Sequence, residues 1–261
     1  MDSFWQKQSS TKPLFPDVEW NRPEQRSQAG RLAIIGGNKL GFMAVSDTYV
    51  AASELGAGQV RAILPDVLKK AVPTHITDTL FMASNASGGF SKDAHTELIA
   101  AVSWADVTLL VGDMGRNSET AMLVEQLLDD YAGQLVITRD AVELLKPVAN
   151  RVVEREKTTL VLSFAQLQKL FQGVYYPRIL SFSMQLMQLV DALHKFTITY
   201  PVTLVTFHHN QLLVAHAGTV VSQEFDEPMH IWRGLTAARA ATYLLWNPTT
   251  PLEAIATSFQ G

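Results

Sequence analysis

The chain has 261 residues, 47% of them apolar and 18% charged, and a net charge of −4 with its seven histidines neutral. That length and apolar fraction suit one domain with one sizeable core. There is no basic excess to draw a nucleic-acid partner, and the absence of cysteine excludes disulfides, thiolate nucleophiles and cysteine-held metals. A cysteine-free chain fits the cytoplasm. No stretch reaches the ~18 continuous apolar residues of a membrane-spanning helix, so no membrane partner is expected.

Met1 to Trp20 is polar and proline-punctuated, without the apolar centre of a signal peptide. Residues 1–30 read as an arm along the surface or on a neighbouring subunit, and 31–261 as a single domain. Arg31 to Ile35 is a short apolar run ending at Gly36-Gly37, a buried strand entering a tight turn. Phe42 to Leu55 reads as a helix, stopped by Gly56-Ala57-Gly58. Gln59 to Leu64, closed by Pro65, is the next strand, and the unit predicts a parallel sheet. Leu80 to Ala83 is a strand and Ala94 to Val102 a helix. Ala105 to Val111 is a buried strand that runs into Gly112-Asp113-Met114-Gly115-Arg116-Asn117. Ser118 to Tyr131 has helical spacing, with Ser118 or Asn117 as its N-cap.

Gln134 to Thr138, Thr159 to Leu162 and Val202 to Thr206 are further strands, with a helix at Leu167 to Phe171. Ser181 to Val190 is an amphipathic helix packed on the sheet or on another subunit, consistent with a homo-oligomer. Gln211 to Ala215 and Thr219 to Val221 flank Ala217-Gly218 as a hairpin. Met229 to Trp246 reads as one long Ala-rich helix, with Trp232 and Trp246 as core or interface residues. The fold class is α/β: a three-layer α/β/α sandwich with a mainly parallel sheet. In such sheets ligands sit beyond the carboxyl ends of the strands.

The candidate ligand-binding residues lie at those ends. Gly36, Gly37 and Asn38 follow one strand, where glycines admit a phosphate or nucleotide to the backbone, or simply make the turn. Gly112, Gly115 and Arg116 follow another, and the helix N-terminus with Arg116 suits an anion that Asp113 would oppose. Asp140 is either a helix cap or a contact to substrate or metal-bound water. His208, His209 and His216 are close in sequence. Neighbours on a strand point to opposite faces, so they read as polar hairpin residues and no metal site is expected.

In order, these segments resemble the ADP/ATP-dependent NAD(P)H-hydrate dehydratases, a ribokinase-like family. The resemblance rests on Ile34-Ile35-Gly36-Gly37-Asn38, on Gly56-Ala57-Gly58, and on Val111 to Asn117, which resemble the family's Gly-Pro-Gly-Leu-Gly-Arg loop with Asp113 and Met114 as departures. Leu135 to Ala141 stand for Val-Leu-Asp-Ala-Asp-Ala, with Thr138 at the first aspartate and Asp140 at the second. The resemblance implies ADP or ATP with magnesium and an NAD(P)H-type ligand. It also places the family's His-Pro-Gly-Glu on Ser163 to Gln166, its Lys-Gly near Phe207-His208, and its Gly-Ser-Gly-Asp on Arg233-Gly234-Leu235-Thr236.

Thr236 then stands where the family has an aspartate, and Gln166 where it has a glutamate. An aspartate can accept the proton of a hydroxyl under phosphoryl transfer, and glycine-rich helix amides stabilise its charge. A threonine cannot be that base. Three functions follow: a non-catalytic homologue that keeps a nucleotide site including Gly234; an active dehydratase or divergent kinase in which Asp140, Arg116, Asp226 or Glu227 carries the chemistry; or an assembly subunit whose pocket is filled by side chains such as Trp232, Arg233 and Phe207.

Overall fold

The computed structural model describes residues 4–260; residues 1–3 of the arm and residue 261 of the domain lie outside the described residues. Its elements in order are β1 (Trp5–Lys7), β2 (Arg31–Gly36), α1 (Met43–Leu55), β3 (Gln59–Pro65), β4 (Thr79–Met82), α2 (His95–Ser103), β5 (Val107–Gly112) and α3 (Ser118–Asp130). There follow β6 (Gln134–Thr138), α4 (Asp140–Leu144), α5 (Ala149–Glu154), β7 (Thr158–Leu162), α6 (Phe164–Gly173) and α7 (Leu186–Thr199). The chain closes with β8 (Thr203–His208), β9 (Gln211–His216), β10 (Thr219–Glu224), α8 (Met229–Arg233), α9 (Leu235–Trp246) and α10 (Pro251–Thr257).

The strands form one sheet in the order β1-β10-β9-β8-β7-β6-β5-β2-β3-β4. From β8 through β4 all pairs are parallel. Strands β8, β9 and β10 run antiparallel through two tight hairpins. Side chains alternate across the sheet, and the core divides accordingly. Leu32, Ile34, Leu109, Val111 and Val136 pack under α1, α9 and α10. Ala33, Ile35, Leu110, Leu135 and Ile137 pack under α2, α3, α5, α6 and α7. This is the expected α/β/α sandwich.

Three expectations change. The segment at Met229 to Trp246 is two helices, because Gly234 takes a left-handed φ of 83° and breaks the run. A Cβ there would lie 2.8 Å from Val111 Cγ2 and 3.0 Å from Thr48 Cγ2, so only glycine lets the break seat against β5 and α1. The amphipathic helix does not begin at Ser181. Residues 181–185 form a turn, and the helix starts at Leu186, where the Gln188 side-chain carbonyl accepts from the Gln185 N–H at 3.0 Å and closes the first turn. The helix at Leu167 to Phe171 starts earlier, at Phe164, because Ser163 and Gln166 make a capping box.

The arm also contributes to the sheet. Trp5–Lys7 pairs in parallel with β10, and Gln8 is buried, donating to Gln223 Oε1 at 2.5 Å and to the Ala256 carbonyl at 2.8 Å. Among the described residues no helix is long and apolar enough to cross a membrane.

Candidate functional site

The chain leaves β2 toward β3 on one side, and β5 toward β6 on the other, while β2 and β5 are neighbours. Their carboxyl ends therefore splay apart and open a crevice at the switch point of the sheet. Gly36, Gly37 and Asn38 line one side, and Gly112 through Gly115 the other. The Gly37 N–H donates to the Gly112 carbonyl at 2.9 Å. Asn38 Nδ2 donates to the Asp113 carbonyl at 2.5 Å, tying the two loops together.

Carboxylates of the chain itself fill this crevice. Asp140, the first residue of α4, accepts from the Asp113 N–H at 2.7 Å and from the Met114 N–H at 3.1 Å. The approach requires glycine at Gly112, where φ is 97° and a Cβ would stand 2.0 Å from Asp140 Oδ1. Asp113 Oδ2 accepts from the Ala44 N–H at 2.9 Å, in the first turn of α1. The other oxygen, Oδ1, accepts from Arg139 Nη2 at 2.6 Å.

Arg139 continues the chain of contacts. Its Nη1 donates to the Trp232 carbonyl in the last turn of α8. Gln166 Nε2 donates to the Arg139 carbonyl at 2.6 Å. Asp113 and Arg139 both have φ of 56°, a conformation that costs a non-glycine residue about 1–3 kcal/mol and persists only when its surroundings hold it. The Arg139 Nε is buried without a partner among the described residues.

The other residues singled out in the sequence lie at varying distances from this group. Gly234 lies under the Arg139 side chain, its Cβ position 3.5 Å from Arg139 Cδ. Thr236 is buried in the first turn of α9, and its hydroxyl has no hydrogen-bond partner among the described residues. Arg116 is exposed at the rim. The cap of α3 is Asn117, whose Oδ1 accepts from the Glu119 N–H at 2.8 Å. Glu227 pairs with His230 at 3.0 Å, and Asp226 lines a separate groove beside Glu224.

Next to the crevice, across Trp232, a cleft of about 240 Å³ opens over the ends of β7 and β8. Its walls include Ser163, Phe164, Phe182, Phe207, His208 and Trp232, and among the described residues neither lysine nor arginine lines it. The Phe182, Phe164 and His208 rings run in series with centroids 4.8 and 4.6 Å apart. Phe182 and Trp232 are about half exposed, leaving aromatic faces open to a ligand. Burial pushes the His208 imidazole below its ordinary pKa, and its Nε2 meets the Met184 carbonyl at 2.9 Å. His216 sits at the opposite edge of the sheet on Thr203 Oγ1, at 2.9 Å. Among the described residues no three histidine or acidic side chains gather to hold a metal.

Sequence reasoning brought Gly36, Gly37, Asn38, Gly112, Gly115, Asp140 and Gly234 to one edge of the sheet. It missed Arg139. The available signal was its position, directly after a buried strand and before Asp140.

No protein-family model matches the chain, and no curated protein matches it. Solved structures do. A ribokinase-like superfamily protein from Enterococcus faecalis is 17% identical with a TM-score of 0.74, covering 100% of this chain and 87% of its own. A Streptococcus mutans protein is 17% identical at a TM-score of 0.69, covering 92% and 84%. The ADP/ATP-dependent NAD(P)H-hydrate dehydratase of Bacillus subtilis, co-crystallised with ATP/Mg2+, is 9% identical at a TM-score of 0.56, covering 94% and 85%. At these identities the likeness shows the fold, and the fold is ribokinase-like.

Proposed function

We propose that this chain is a non-catalytic relative of the NAD(P)H-hydrate dehydratases that binds a nucleotide-type ligand at the carboxyl edge of its sheet. The observation that carries the reading is the commitment of the carboxylates. A general base needs a free oxygen within hydrogen-bond reach of the proton it takes. Asp140 holds two loop amides, and Asp113 is shared between α1 and Arg139. Thr236, at the position where the resemblance expects aspartate, has only a hydroxyl. The Ala44, Asp113 and Met114 amides, which would otherwise face an oxyanion, already face these carboxylates.

The aromatic cleft supports ligand binding. Open faces of Phe182 and Trp232 suit a stacked heteroaromatic ring, and such concave, mostly apolar sites are the usual ligand sites of α/β folds.

Calorimetric titration with ADP, ATP and NADH, with magnesium present, followed by a hydrate-dehydration assay on the same sample, tests the proposal. Binding without turnover supports it. Binding with turnover establishes a dehydratase instead, with Asp113 beside Arg139 as the carboxylate to examine. No binding leaves the assembly role.

A further inference from the structure

We infer that the crevice between β2 and β5 is closed to phosphate: Asp113 is the built-in occupant of the anion position at the start of α1, and the ligand is recognised as an uncharged planar ring, a nucleobase or nucleoside. The ligand half of this inference rests on the proposed function above; the assignment of Asp113 stands on its own geometry.

A helix N-terminus attracts an anion because its first amides lack partners within the helix. At α1 the anion is already present. Asp113 Oδ2 lies 2.9 Å from the Ala44 N–H, and the arginine that reaches this group, Arg139, is held on Asp113 Oδ1 at 2.6 Å and on the Trp232 carbonyl. An amide below, a carboxylate in the middle and a guanidinium above is the arrangement by which proteins hold a phosphate oxygen, with a side chain of the protein in place of the phosphate. The loop amides of Asp113 and Met114 are closed in the same way by Asp140.

The surroundings agree. Among the described residues a phosphate chain leaving the aromatic cleft meets no lysine or arginine in the cleft wall, and on the crevice side it meets Asp113 and Asp140, with Arg139 already engaged by Asp113 and the Trp232 carbonyl. The carboxylates that could hold magnesium beside a phosphate are already committed, Asp140 to two loop amides and Asp113 to Ala44 and Arg139. The residues present therefore do not fit a magnesium–nucleotide. They do fit a ring: the cleft offers aromatic faces, and a volume of about 240 Å³.

The test is calorimetric titration of wild type, Asp113→Gly and Asp113→Asn with adenosine, ADP and inorganic pyrophosphate, without magnesium. Glycine tolerates the left-handed φ at this position, and asparagine keeps the side-chain shape without its charge. For wild type the expected result is adenosine and ADP binding within about threefold of each other, a difference under ~0.7 kcal/mol, and no pyrophosphate binding. Asp113→Gly is expected to bind pyrophosphate and to prefer ADP over adenosine by at least about tenfold, with Asp113→Asn intermediate. A wild type that prefers ADP about tenfold or binds pyrophosphate overturns the inference and leaves the proposed function standing. Folded variants that bind no pyrophosphate overturn the assignment of Asp113. If wild type binds neither adenosine nor ADP, the proposed function falls and the ring-ligand half falls with it, while the pyrophosphate titrations still decide the role of Asp113.

Discussion

Arg139 and Asp113 meet at 2.6 Å across the carboxyl ends of two neighbouring strands, and each adopts a left-handed φ of 56° to do so. Neither geometry has a local cause. The two loops hold each other: Asp113 reaches back to α1, Arg139 reaches forward to α8, and the ion pair closes the span. Both side chains are roughly three-quarters buried, so the pair is shielded from the screening that weakens surface bridges.

Removing one partner leaves the other charge buried. Arg139→Met is expected to lower unfolding stability by about 1–3 kcal/mol, read from the urea midpoint. Adding Asp113→Asn to it should cost less than the sum of the two single changes. Strict additivity would show that the pair does not hold the loops.

Gly234→Ala tests the helix break. The left-handed φ of 83° and a Cβ 2.8 Å from Val111 Cγ2 act together, and a loss of about 1–3 kcal/mol is expected. Thermal denaturation measures it, and a neutral outcome would mean that α8 and α9 can join as one helix.

The repeating layers were legible because they are local. Buried runs such as Arg31 to Ile35 and Gln134 to Thr138 declare strands, and Asn117 before Ser118 declares a cap. The arrangement at the site was not legible, because its bonds join residues far apart in the chain. Asp113 read as a departure that would repel an anion; the structure adds that Arg139 neutralises it and that it accepts from the Ala44 N–H at the start of α1. The helix break was hidden because the alanine-rich sequence after Gly234 continues the helical pattern, and only the contact with Val111 and Thr48 reveals why a glycine stands there. Strand β1 pairs with a partner more than two hundred residues away, and its three residues carry no alternation to read.

Gln166 stands where the resemblance places a glutamate, and its amide is used at both ends. Oε1 accepts from the Ser163 N–H at 3.1 Å, while Nε2 donates to the Arg139 carbonyl at 2.6 Å. Gln166→Glu would set a carboxylate oxygen against that carbonyl. A loss of about 1–3 kcal/mol is expected, seen as a lower urea midpoint. Unchanged stability would show that the contact with Arg139 is dispensable.

Stability should fall in mild acid. Burial holds His208 and His216 below their ordinary pKa of 6.5, so below that value the unfolded chain takes up protons that the folded chain refuses. Their contribution is complete above pH 6.5 and is lost as pH falls through the depressed folded values. Urea midpoints at about pH 7.5 and about pH 5.5 should differ in wild type and differ less in a His208→Gln/His216→Gln double variant. An equal pH slope in the two proteins would remove these histidines from the account.

The central claim is that neither Asp113 nor Asp140, the carboxylates of the crevice, is free to act as a base. Its most direct test is the disappearance of NADH hydrate with ADP or ATP, magnesium and a high concentration of the protein. The prediction is a rate equal to that without protein. Dehydration continuing beyond one equivalent of hydrate per chain would contradict it, and would require that Asp113 or Asp140 leave its amides and act as the base.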